Sequence, residues 1–277
     1  MGDVSMGNFP EGILFNKDRK RFDHIKDVAA AFTARYVGNN IIQDDAFAVI
    51  ENYAGAKEMP LEWIRIPIED DELCACTFIR SGRIFVMLNT GVPLSKQIFA
   101  AAHELYHIRC YLEENDSELE RAGSILDAKT IDEGTTLNEE MEANAFAGLL
   151  LAPGEGLEQQ IKIFRIDRSD ISVDDVLTLM DIFAIPYKAM VLRLMEEQII
   201  TSEEAGKLIA VSSEDIKERI MITGKAKRWS LIPKGNESLG SITENIVINA
   251  EEENVPESRL KSDMDILNTI KKRFGIE

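Results

Sequence analysis

Apolar residues recur every three to four positions through residues 21–37 (RFDHIKDVAAAFTARYV) and, after a polar break, through QDDAFAVIENYAGA, which predicts two opening helices. Past Pro60 the character changes. LEWIRIPI, ELCACTFIR and RIFVMLN are short runs rich in β-branched and aromatic residues, separated by the turn residues EDD and SG, and they predict a small meander or hairpin sheet. KQIFAAAHELYHIRCYL then runs through strong helix formers without a breaker, behind Ser95 as a candidate N-cap. Residues 113–136 are polar and weakly patterned and predict a loop with room for one short helix. LNEEMEANAFAGLLLAP predicts a third strong helix ending at Pro153, and SVDDVLTLMDIFAIPYKAMVLRLMEEQII two more joined at IP. Helical text follows in SEEAGKLIAVSSEDIKERI. A short strand candidate at residues 245–249 comes next, and then a last helix, ESRLKSDMDILNTIKKRF, with its basic residues at the C-terminal end where the helix dipole favours them. Helices flanking one small sheet make the expected class α+β.

Composition changes this picture in three respects. With 45% hydrophobic and 29% charged residues among 277, the chain can bury a core, so disorder is not expected. The formal net charge of -18 repels phosphate backbones and anionic lipid, so direct nucleic-acid binding is not expected; the basic runs KDRKR and GKAKR are short and read as solvated faces. No segment reaches the roughly 18 apolar residues of a membrane span. The opening MGDVSMGNFPEG carries no apolar signal core, and Met6 stands where N-myristoylation wants Ser or Thr, so a cytoplasmic protein is expected. Three cysteines cannot all pair, and Cys74 and Cys76 read as buried small hydrophobes rather than a metal or redox pair.

The chemistry concentrates in HELYH. Two of the chain's three histidines, His103 and His107, lie one helical turn apart and can aim both imidazoles at one cation, while Glu104, rotated by about 100°, can reach a water beside it. The third histidine, His24, reads as a half-exposed helix residue. The surrounding text is apolar (Phe99, Ala100, Ala101, Ala102, Leu105, Ile108), and burying these polar groups without partners would cost about 1–3 kcal/mol each. A catalytic zinc site takes three protein ligands and leaves one position open, so a carboxylate is expected from Glu139, Glu140 or Glu142 on the later helix. Asn144, a poor helix-interior residue set among Ala and Phe, favours Glu140 one turn before it, since an amide there can orient a ligand histidine through its other ring nitrogen. Glu142 is the alternative ligand.

FAAAHELYH followed by EMEANAFAGLLLAP resembles the ImmA/IrrE family of metallo-endopeptidases, over roughly residues 22–201. The resemblance implies a zincin-like metallopeptidase domain over residues 1–201, leaving 202–277 as a C-terminal extension of unassigned role. It implies Zn2+ held by His103, His107 and a glutamate of the second motif, with Glu104 as general base, and it matches Glu140 with Asn144. Tyr106 departs from the family's usual Gly, and Ala152 from its frequent Met. The implied activity is hydrolysis of a specific protein substrate, typically a helix-turn-helix transcriptional repressor or an antitoxin, in mobile-element or stress regulation. The substrate is expected as an added strand on RIFVMLN taken as a sheet edge. For the oxyanion, Tyr187 and Arg193 are weak candidates, with structural roles favoured for both. A metal-binding regulator or sensor without proteolysis is the competing reading.

Overall fold

The computed structural model describes residues 13–276 apart from 39–40, 70–72, 115, 128–129, 132–134, 136 and 253, so MGDVSMGNFPEG lies outside the described residues. After a single turn at Leu14–Lys17, α1 (Arg19–Phe32) starts at Asp18, whose side chain accepts the Arg21 N–H at 2.9 Å, and buries Phe22, Ile25, Ala29 and Phe32 on one stripe. His24 is exposed on the other side. α2 (Ala46–Ala56) follows, then the strands β1 (Leu61–Ile66), β2 (Leu73–Arg80) and β3 (Arg83–Asn89). Ser81 and Gly82 join β2 to β3, both with positive φ (50° and 69°), the backbone of a two-residue hairpin turn.

Strand order corrects the expectation that RIFVMLN is an edge. β3 lies inside the sheet, parallel to β1 and antiparallel to β2, and a fourth strand, β4 (Ser124–Asp127), pairs antiparallel with the far side of β2. β4 falls in the stretch expected to be a loop, after the short helix α4 below. The edges are therefore β1 and β4. The C-terminal extension covers part of the β1 edge: Arg65 and Ser238 exchange backbone hydrogen bonds at 2.6 and 2.8 Å. A register shift between Leu73 and Ala75 breaks the alternation of β2, so Cys74 is buried and Cys76 only half-buried; none of the three cysteines forms a disulfide.

α3 (Leu94–Glu114) crosses the inner face of the sheet and is buried on every side from Ile98 to Cys110, as expected for a helix enclosed by the core. It begins one residue before Ser95, so Ser95 lies in its first turn rather than at the cap; Lys96 N–H and Gln97 N–H turn back to the Pro93 carbonyl. The short α4 (Glu118–Arg121) leads into β4, and α5 (Asn138–Leu151) packs directly against α3 and α1. α6 (Gly154–Phe164), α7 (Val173–Phe183), α8 (Tyr187–Glu196), α9 (Ser202–Ile209), α10 (Ser213–Thr223) and α11 (Lys227–Ser230) complete the helical layer. The apolar core does not stop at residue 201: Ala205, Leu208, Ile220, Ala226 and Trp229 belong to the same cluster as Phe22, Leu88 and Phe146. The Leu231 carbonyl accepts the Leu94 N–H at 3.0 Å, satisfying an orphan donor at the start of α3.

The strand candidate at residues 245–249 is instead part of a helix, α12 (Ile242–Glu251), which pairs with α13 (Glu257–Phe274). Helical spacing puts Ile242 and Ile246 against Ile66, Leu239 and Leu267 in a second apolar cluster on the outer side of the sheet, and that packing overrides the β-branched preference of the run. The architecture is α+β, a four-stranded mixed sheet between two helical layers. No helix among the described residues is long and apolar enough to cross a membrane.

Candidate metal centre

α3 and α5 bring His103, His107 and Glu140 together, with one ligating atom from each all within 4.8 Å of one another. The two Nε2 atoms stand 3.2 Å apart; Glu140 Oε2 is 3.1 Å from His103 Nε2 and Glu140 Oε1 is 3.5 Å from His107 Nε2. Both imidazoles are enclosed, at 0% and 5% exposure.

The hydrogen bonds around the rings set their tautomers. Asn144 Nδ2 donates to the Thr130 carbonyl at 3.2 Å, which orients the amide so that Oδ1 faces His103 Nδ1 at 2.9 Å. His103 therefore carries its proton on Nδ1 and presents a lone pair at Nε2. His107 Nδ1 faces Glu139 Oε1 at 3.4 Å, which favours the same tautomer. Two lone pairs and a carboxylate thus converge in a buried space, and Glu140 Oε2 receives no hydrogen bond among the described residues despite its closeness to His103. Such an arrangement repels itself unless a cation lies at its centre. Zinc fits the donor set: two nitrogens at about 2.0–2.1 Å from one ion at a tetrahedral angle stand about 3.3–3.4 Å apart, close to the spacing here. The electrostatics agree in sign. Burial disfavours a charged His107, yet Glu139, Glu104 and Glu140 outweigh it and raise the imidazole pKa, so the cluster draws positive charge.

Glu104 is fully buried, and neither carboxylate oxygen has a hydrogen-bond partner among the described residues. It faces the β2 side of the group: burial, with the Glu104 charge adding to it, pushes the Cys76 thiol up to about 11. A carboxylate enclosed in this way is costly without a charge or donor beside it, and the converging imidazoles mark where such a group belongs.

Glu142, the alternative ligand, does not join the group. Two residues beyond Glu140 it points to another side of α5, where Arg21 donates to both its oxygens at 2.7 Å and the Tyr106 hydroxyl donates at 2.6 Å. Burial pushes the Glu142 carboxyl up, but these partners outweigh it and hold it below the usual carboxylate range. This also gives Tyr106 a role: its ring packs on Phe146 and its hydroxyl fixes Glu142. Tyr187 and Arg193 stand apart from the group. Tyr187 donates to the Leu208 carbonyl; Arg193, 1% exposed, binds Glu196 and Glu197 at 2.6 Å and the carbonyl of Ala152 at 3.1 Å.

Sequence reasoning did not find the Thr130 carbonyl behind Asn144, nor the β4 wall beside His107. Thr130 donates no side-chain signal, and β4 is four residues of mixed text. Glu139 was weighed only as a ligand, and its position against the outer nitrogen of His107 follows from the way α5 crosses α3. Residues 64–195, which run from β1 through α8, match the family model Peptidase_M78, described as the IrrE N-terminal-like domain. No curated protein matches the chain.

Proposed function

Because residues 64–195 belong to the Peptidase_M78 metallopeptidase family, we propose that the chain is a zinc-dependent endopeptidase cutting a specific protein substrate. The observation that carries this reading is the pairing of two facing imidazole lone pairs and Glu140 with a buried, unpartnered Glu104. His103, His107 and Glu140 would hold the ion, with Asn144 and Glu139 fixing the two rings from behind. When bound, zinc lowers the pKa of a coordinated water toward about 7 and polarises a carbonyl.

Glu104 takes the proton of the attacking water and returns it to the leaving amine. Its enclosure suits both transfers, since both carboxylate oxygens are without hydrogen-bond partners among the described residues and so are open to a water. A site that only held an ion has no use for such a group, which weighs against the metal-sensor reading. The polypeptide would lie extended along β4 rather than β3. Among the described residues β4 pairs with β2 on one side only, and the cleft beside His107 runs against Ser124 and Ile125. Backbone pairing there tolerates varied sequence and leaves specificity to side-chain pockets.

We take the substrate to be a basic DNA-binding protein, a helix-turn-helix repressor or an antitoxin. The family resemblance supports this choice, and so does the charge of -18, which steers a cationic partner toward the chain. The test pairs zinc analysis with cleavage of purified helix-turn-helix repressors and antitoxins, comparing wild type with Glu104→Gln. Retained zinc with cleavage reduced by about a hundredfold or more is expected; equal cleavage by both proteins removes Glu104 from the reaction.

A further inference from the structure

The cleft beside His107 contains more than the proposed reaction uses. A cavity of about 170 Å³ opens against His107 and Glu140 and is walled by Asp116, Glu118, Glu139 and the β4 residue Ser124. No lysine or arginine is among the described residues that line it. The carboxylates are only partly engaged. Asp116 Oδ1 accepts the Glu118 N–H at 2.8 Å, Glu118 meets Arg121 at 3.1 Å where that side chain is 69% exposed, and Glu139 faces His107.

Ser124 gives a second, independent indication. It is 7% exposed, it lines the cavity, and its Oγ has no hydrogen-bond partner among the described residues. Buried hydroxyls are normally bonded, so the missing partner falls to whatever fills the space.

We propose that this cavity is a specificity subsite for the side chain of a substrate lysine or arginine, held next to the bond to be cut. The word substrate rests on the peptidase reading above; the affinity for a cationic side chain does not. An ammonium or guanidinium group brings donors only, and the wall offers carboxylate oxygens and one free hydroxyl, so each side satisfies the other. The space suits one extended side chain on a strand laid along β4. Since Glu118 and Glu139 are about half exposed, solvent screens them and the selectivity is moderate, about five- to tenfold. The preferred substrate is therefore a peptide segment rich in basic residues.

The test uses the full chain loaded with zinc and two small probes, Nα-acetyl-arginine amide and its neutral isostere Nα-acetyl-citrulline amide, titrated by amide NMR. The arginine probe is expected to shift the Gly123 and Ser124 signals and to bind about fivefold or more tightly than the citrulline probe. Asp116→Asn combined with Glu118→Gln should abolish that preference, whereas Glu214→Gln, an exposed acid on α10, should leave it intact. Equal affinities, or a preference surviving the double substitution, overturn the proposal. Cleavage of a random peptide mixture separates the two readings. Cuts enriched for Lys or Arg at one fixed position support the subsite. Cuts without that enrichment overturn it and spare the peptidase reading. Binding of the arginine probe with no peptide cut supports the cationic site and leaves the peptidase reading to the Glu104→Gln comparison on a protein substrate.

Discussion

Replacing Asn144 with alanine isolates the hydrogen bond behind the candidate centre without touching any ligand. Asn144 Oδ1 accepts the His103 Nδ1–H at 2.9 Å, and His103 is fully buried, so the substitution leaves an N–H with no solvent to turn to. An unsatisfied buried donor costs about 1–3 kcal/mol. The same bond holds the ring so that Nε2 faces His107 and Glu140, and loss of such a support lowers metal affinity by about 10–100-fold, or about 1.4–2.7 kcal/mol. The two estimates overlap, so most of the cost should fall on zinc binding. Competition against a chromophoric chelator reads it directly. Asn144→Asp keeps an acceptor for His103 and gives up only the donor to the Thr130 carbonyl, and it should bind zinc at least as well as wild type. An Asn144→Ala affinity within about twofold of wild type, under roughly 0.4 kcal/mol, would refute the argument that this amide sets the tautomer.

Other perturbations test the supports of the site. Arg193→Ala should destabilise the chain by about 3–5 kcal/mol in urea denaturation, because it strands Glu196, 5% exposed, without its guanidinium; Arg193→Lys should recover only part, since an ammonium cannot span Glu196, Glu197 and the Ala152 carbonyl together. Tyr106→Phe should cost about 1–2 kcal/mol by losing the bond to Glu142 while leaving zinc stoichiometry unchanged. The Glu142 carboxyl is held below its ordinary value of 4.5, so its stabilisation is complete above that pH and disappears as pH falls through the lower folded value; Arg21→Ala should flatten this part of the acid-unfolding curve.

The site was more legible than the sheet, for a physical reason. HELYH and the Glu140–Asn144 pair are local: four residues along one helix fix which side chains share a face, whatever surrounds them. Choosing Glu140 over Glu142 drew on the oddity of Asn144 in an apolar helix, and the structure supplies the other half in Arg21 and Tyr106, which occupy Glu142 from helices distant in sequence. Strand order has no comparable local signal. The sequence reads β3 as an edge, whereas Ile84, Val86 and Leu88 are all fully buried, and β4 is too short for any alternation to show. At residues 245–249 the run NIVIN reads as a strand by propensity, but Ile242 and Ile246 find the sheet's outer face only when the segment is helical.

In the proposed site one cation joins two turns of α3 to the start of α5. Anomalous diffraction at the zinc edge from zinc-loaded crystals tests it most directly. A single peak is expected about 2.0–2.2 Å from His103 Nε2, His107 Nε2 and a Glu140 oxygen, with Glu142 still on Arg21. A peak bonded to Glu142 or shared by only one imidazole, or no peak between the two rings, would contradict it.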